Sequence, residues 1–249
     1  MLKGNQDQIE KSLKIKIRCG DIKMSYLVVV AHPDDEVLGA GGTIYTLTGR
    51  NEAVDVCILS GMAEARTNRP TNKQLSEDTD KCLKLLGVRK KFLGDFPNIK
   101  FNTVPHLDLV QFIERIIIET GADTIFTHHP ADLNNDHLQT SLACQAAARL
   151  FQRRGDVHPL RELLYMEIPS ATEWALNNSV SEFRPNAFFE IGKDGIEKKI
   201  EALELYQGVM RKYPHPRSRE ALLGLAAYRG SQSGNNYAES FESAIRRLK

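Results

Sequence analysis

His32, Asp34 and Asp35 fall in the run Ala31-His32-Pro33-Asp34-Asp35-Glu36, directly after the apolar segment Tyr26-Leu27-Val28-Val29-Val30. A histidine and a carboxylate three residues apart, with a proline stiffening the turn between them, can turn an imidazole nitrogen and a carboxylate oxygen toward one point. That makes two ligands of a catalytic metal site of the zinc kind, which ordinarily takes three protein ligands and keeps one position open. A third ligand is therefore expected on another loop. Residues 128–137, His-His-Pro-Ala-Asp-Leu-Asn-Asn-Asp-His, supply three histidines and two aspartates in ten positions after a second apolar segment, Thr124-Ile125-Phe126-Thr127. His32, Asp35 and His137 are the expected ligands. Asp34, offset by one residue, is left over as a general base beside a polarised water, and Asp136 suits a carboxylate that fixes the tautomer of a ligand imidazole.

The elements that must position these residues are read from periodicity. Tyr26–Val30 is short, continuous and β-branched, as expected of a parallel strand buried on both faces. The order strand then helix recurs along the chain, so the fold expected is α/β, a Rossmann-like three-layer sandwich with a mostly parallel sheet. In such sheets ligands bind outside the carboxyl ends of the strands. Helices are expected over 37–50, 72–86 (closed by Gly87), 107–120 (closed by Gly121), 137–153, 196–211 and 218–228, with strands over 54–59, 91–93, 124–127 and 162–167. Gly39, Gly41 and Gly42 are expected to let backbone approach the site. Beyond Pro169, Trp174, Phe183, Phe188 and Phe189 are interspersed with Asn, Ser and Pro, a pattern that suits the walls of a substrate pocket. The whole of 1–249 is read as one domain, with 1–23 an added arm and about 170–249 a pocket-forming elaboration.

The His-Pro-Asp-Asp motif after a buried strand, with a downstream Asp-His pair after a second, resembles the PIG-L (LmbE-like) zinc-dependent deacetylases of N-acetylated amino sugars. The likeness runs from about Met24 to the C-terminal segment that begins Arg229-Gly230-Ser231-Gln232-Ser233-Gly234. It implies that His32, Asp35 and His137 hold Zn2+ or another divalent metal, and that Asp34 activates water. Many members carry His-Pro-Asp-His at the second motif; here the first of those positions is Asn134, so the acid that protonates the departing amine is sought at His129 or His215. The resemblance also implies a substrate-facing arginine after the second strand, at Arg66 or the nearby Arg69. His215 lies in Tyr213-Pro214-His215-Pro216-Arg217, either a rigid linker or a rigid loop that brings an imidazole over the pocket. His128 and His129 are not expected among the ligands, since three suffice.

Composition bounds the partners. Lys plus Arg, 33, balances Asp plus Glu, 32, so no global electrostatic footprint calls for nucleic acid or a membrane surface. The four cysteines form no Cys-x-x-Cys pair and are read as reduced, mostly buried thiols. No apolar stretch in 1–23 suits a signal peptide, so a cytoplasmic enzyme acting on a small amino sugar is expected, with homo-oligomers left open. Competing readings are a non-catalytic metal- or sugar-binding protein, a hydrolase of a different amide, and a nucleotide-binding Rossmann protein. The last is disfavoured because the glycines at 39–42 do not follow G-x-G-x-x-G.

Overall fold

The structure, a computed structural model of the chain, describes residues 24–62, 70–176 and 182–248. Within these residues the chain alternates between strands and helices: β1 Ser25–Val30, α1 Asp35–Gly49, β2 Ala53–Ile58, α2 Asn72–Leu85, β3 Lys90–Leu93, α3 His106–Thr120, β4 Thr124–His128 and α4 Asn135–Ala147. It continues with a short helix α5 Leu150–Arg153, β5 Glu162–Met166, β6 Ala187–Glu190, α6 Gly192–Glu204, α7 Arg219–Ser233 and β7 Ala238–Arg246.

The strands form one sheet in the order β3-β2-β1-β4-β5-β7-β6. Neighbours from β3 to β5 are parallel, while β7 pairs antiparallel with both β5 and β6. β1 is buried on both faces, as its unbroken apolar run requires. Val28 and Val30 enter a core shared with α1, α2, α6 and α7, whereas Leu27 and Val29 enter a second core with α3 and α4. The α/β three-layer sandwich with a mostly parallel sheet is thus what the chain forms.

Most element boundaries fall within two residues of the sequence expectation; the helix expected over 218–228 runs on to Ser233, and three further elements differ. The helix expected over 137–153 starts two residues earlier, capped by Asn134, and breaks after Ala147. The helix expected over 196–211 spans Gly192–Glu204 instead. The C-terminal segment is a strand, β7, inserted between β5 and β6; its register is set by partners distant in sequence, so local periodicity did not mark it.

The glycines of α1 do not bring backbone to the site. A Cβ at Gly39 would stand 2.7 Å from Ile168 Cδ1, one at Gly41 3.1 Å from Lys199 Cγ, and one at Gly42 2.7 Å from Ile191 Cδ1. They allow α1 to pack tightly on the loop after β5 and on α6, on the side away from the cleft.

β1 is the switch point of the sheet: the chain passes from β1 to β2 on one side, then later enters β4 on the other. The carboxyl ends of β1 and β4 therefore open a crevice between diverging connections, where ligands gather in this architecture. Among the described residues no helix is long and apolar enough to cross a membrane, and Cys57, Cys82 and Cys144 are buried free thiols.

Candidate metal centre and cleft

The loop leaving β1 carries His32 and Asp35, and the loop leaving β4 ends in His137 on the first turn of α4. The two loops meet. His32 Nδ1 lies 3.3 Å and His137 Nε2 lies 3.2 Å from Asp35 Oδ2. All three residues are buried, and their ligating atoms lie within 4.8 Å of one another.

The far side of each imidazole is held by a carboxylate. His32 Nε2 is 3.1 Å from Asp136 Oδ2, and His137 Nδ1 is 3.2 Å from Asp132 Oδ2. Such pairs fix a histidine's tautomer so that its opposite nitrogen presents a lone pair to a cation. Asp136 also accepts the backbone N–H of Ile99 at 2.6 Å and of Phe101 at 3.0 Å, which ties the loop after β3 to the centre. Asp132 is anchored by Thr172 Oγ1 at 3.0 Å and accepts the Asn134 N–H at 2.9 Å. Its part as the orienting partner of His137 escaped the sequence reading, because which carboxylate faces which ring depends on the loop's path.

The electrostatics ask for positive charge at this point. Burial would lower the pKa of His137, yet Asp35 and Asp132 hold it up at about 10. Burial likewise opposes the raising of His32 by Asp136 and Asp35. Burial also disfavours charge on Asp35, but His137 and His32 hold its carboxyl well below the usual range. Two nitrogens and one carboxylate oxygen, oriented from behind and drawn together in a cation-seeking site, match the donor set of a catalytic divalent metal.

His128 sits beside this set: its Nε2 is 3.6 Å from Asp35 Oδ2, and with Asp132 and His137 it makes a second group whose ligating atoms lie within 4.8 Å of one another. Its Nε2 accepts the Ala31 N–H at 2.9 Å, and its ring stacks on His137 at 3.8 Å and 14°. Lone pairs lie in the ring planes, so two nearly parallel rings aim side by side rather than at one ion. Burial, then the neighbouring His137, pushes the His128 pKa well down, so the ring is a neutral platform under the ligand.

Asp34 forms the turn into α1 with φ of 100°, left-handed backbone that a residue with a Cβ seldom adopts. The strain turns its side chain away from that of Asp35 and into the cleft, where Arg217 Nη1 lies 3.5 Å from Asp34 Oδ2. Arg217 also donates from Nε to Ser170 Oγ at 2.6 Å. Behind the turn, Glu36 is fully buried, accepts the Asp34 N–H at 3.0 Å and takes the Tyr206 hydroxyl at 2.6 Å. Burial pushes its carboxyl up to about 8.

A cleft of about 510 Å³ opens over these groups. His32, Asp34, Asp35, His137, Asn134, Arg217 and Trp174 are among the residues that line it, so side chains from separate loops converge there. Asn134 Oδ1 caps α4 by accepting the Asp136 N–H at 2.9 Å, which leaves the amide nitrogen as a donor. Arg217 was missed as a site residue, though it lies two positions after His215 in the segment singled out for its prolines.

The two histidines considered as acids fare differently. His129 is outside the cleft: its ring packs edge-on against Tyr165 and Phe183, and Nε2 faces Glu242 at 3.4 Å. The strand alternation explains the correction, since consecutive residues His128 and His129 leave β4 on opposite sides. His215 stands at the rim, edge-on to Trp174 at 5.8 Å, and its Nδ1 accepts the Arg217 N–H at 3.0 Å. Arg66 and Arg69 lie outside the described residues.

A mostly parallel α/β sheet with buried His, Asp and His at its switch point defines a Rossmann-like protein built around a candidate metal centre. Residues 27–148 match the family model PIG-L, GlcNAc-PI de-N-acetylase. No curated protein sequence matches the chain. Solved structures similar to it include a conserved protein from Thermus thermophilus, with TM-score 0.74 and 22% identity over 91% of this chain and 97% of that one. The 4-carboxy-2-hydroxymuconate hydratase GalB from Pseudomonas putida is similar at TM-score 0.73 and 22% identity, over 91% and 98% of the two chains. N,N'-diacetylchitobiose deacetylase from Pyrococcus horikoshii follows at TM-score 0.71 and 18% identity, over 96% and 92%. At these identities the likeness is one of fold.

Proposed function

We propose that the protein is a metal-dependent hydrolase that removes the N-acetyl group from an amino sugar or its conjugate. The observation that carries this reading is the convergence of His32, Asp35 and His137 at the floor of a cleft that a further carboxylate, Asp34, also lines. The PIG-L description and the chitobiose deacetylase among similar structures support the choice of an acetamide as substrate.

When bound at His32, Asp35 and His137, Zn2+ or another divalent ion supplies Lewis acidity. Asp34 takes a proton from water as that water adds to the acetamide carbonyl carbon. The Arg217 guanidinium, 3.5 Å from Asp34 Oδ2, helps hold that carboxylate in the cleft. The amide nitrogen of Asn134 donates to the substrate at the cleft wall. Asp34 then returns its proton to the nitrogen as the C–N bond breaks, giving acetate and the free amine. This single-residue shuttle accounts for a cleft that His129 does not line; His215 at the rim, neutral with its proton on Nε2, can donate a hydrogen bond to the substrate but is no acid for the amine.

The test is acetate and amine release from a panel of N-acetylated sugars, with and without chelator. Asp34→Asn is expected to keep its metal by elemental analysis and to lose about a hundredfold or more in kcat, whereas His137→Ala loses the metal. Wild-type turnover in Asp34→Asn would remove the base. GalB has this fold and is named a hydratase, so hydration of an unsaturated acid without acetate release is the outcome that would redirect the assignment.

A further inference from the structure

The mouth of the cleft differs in character from its floor. Ile99, Leu133 and Trp174, from the loops after β3, β4 and β5, line it and remain 47%, 56% and 43% exposed. Scattered exposed apolar residues are ordinary. Three that line one cleft, each on a loop braced from behind, are a built feature.

The bracing is specific. Ile99 has φ of 58°, a conformation in which a β-branched residue is a clear outlier. Its N–H is held by Asp136 Oδ2, the same oxygen that orients His32. Leu133 sits between Asp132 and Asn134, both fixed by the hydrogen bonds that shape the second ligand loop, and its own N–H reaches Ala171 O at 3.4 Å. Trp174 lies in a turn where Glu173 accepts the Ser170 and Ala171 N–H groups at 2.5 and 3.3 Å, and His215 buttresses its ring. Backbone strain retained at a ligand site points to a role for the side chain it presents.

We infer that Ile99, Leu133 and Trp174 form a second subsite, which takes an apolar-faced aglycone carried by the amino sugar. This inference rests on the deacetylase reading and names the substrate class within it. The cleft volume falls in the range of sites that bury a ligand larger than one sugar ring, about 300–1,000 Å³. A sugar whose acetamide reaches Asp34 leaves the mouth to whatever is linked to the ring. Three apolar walls there favour an aryl or alkyl group, since desolvating a charged one against them would be costly.

The experiment compares methyl, benzyl and carboxymethyl glycosides of N-acetylglucosamine on the metal-loaded enzyme, with calorimetric binding of the corresponding free-amine glycosides as a readout that needs no turnover. The benzyl compound is expected to exceed the methyl one by about tenfold in kcat/KM and in affinity, the scale on which apolar pockets discriminate. Trp174→Ala and Leu133→Ser should bring that ratio to within about twofold of one, whatever the absolute rate. A benzyl-to-methyl ratio near one in the wild type, a ratio that survives both substitutions, or preference for the carboxymethyl glycoside overturns the subsite. Absence of acetate release from every glycoside would instead count against the deacetylase reading, while the binding ratio still decides the subsite.

Discussion

Asp34 and Asp35 are adjacent and identical in type, yet the backbone gives them separate tasks. Asp35 turns inward to the imidazoles, and the positive φ at Asp34 sends its carboxylate into the cleft. Glu36, the third acid of the run, stays behind both. Its folded pKa of about 8 lies above the ordinary glutamate value of 4.5, and burial is the largest cause. The native state therefore holds a proton that the unfolded chain releases earlier. That contribution to stability is complete below about 4.5 and is lost as pH rises through about 8. In metal-free protein, urea unfolding midpoints should thus fall more steeply between pH 5 and 8 for wild type than for Glu36→Gln; parallel curves would show that Glu36 is not the titrating group.

At the scale of elements, α1 is the part on which the centre depends, and it is interrupted. Ala40 has φ of −144° and ψ of 17°, which breaks the helix one turn after the ligands. The backbone groups released at the break are taken up by side chains from distant elements. Glu239 on β7 accepts the Gly42 and Thr43 N–H groups at 3.1 and 2.7 Å, and Lys199 on α6 donates to Leu38 O at 2.7 Å. Lys199 and Glu239 also pair with each other at 2.7 Å, both buried. Removing one partner leaves a buried charge uncompensated, which ordinarily costs about 3–5 kcal/mol. Glu239→Ala is expected to lose that much in chemical denaturation, and a loss under about 1 kcal/mol would mean water enters the break. Neither residue stood out in the sequence, because a lysine in a helix and a glutamate in a C-terminal segment reveal no partner until α6 and β7 pack on α1.

For the molecule as a whole, the centre joins the loops that leave β1 and β4, about a hundred residues apart in the chain. A ligand bound only by the folded form stabilises it by RT ln(1 + [L]/Kd), about 4 kcal/mol at a thousandfold excess over Kd. Chelation should therefore lower the melting temperature of the wild type, and back-titration with Zn2+ should restore it. His137→Ala should melt at one temperature under both conditions. A chelator shift that persists in His137→Ala would place the stabilising ion elsewhere.

The buried strand β1, the parallel α/β order and the residue types at the two strand ends were legible in the chain itself. Continuous apolar runs, strand-to-helix alternation and the His-Pro-Asp-Asp turn are local patterns, set by backbone stereochemistry and burial within a few neighbours. Tertiary structure alone decided that Asp136 orients His32 while Asp132 faces His137, that His129 leaves the cleft, and that Arg217 comes to Asp34. Those outcomes turn on where separate loops arrive in space, and a contact between segments far apart in the chain leaves no trace in the periodicity of either one.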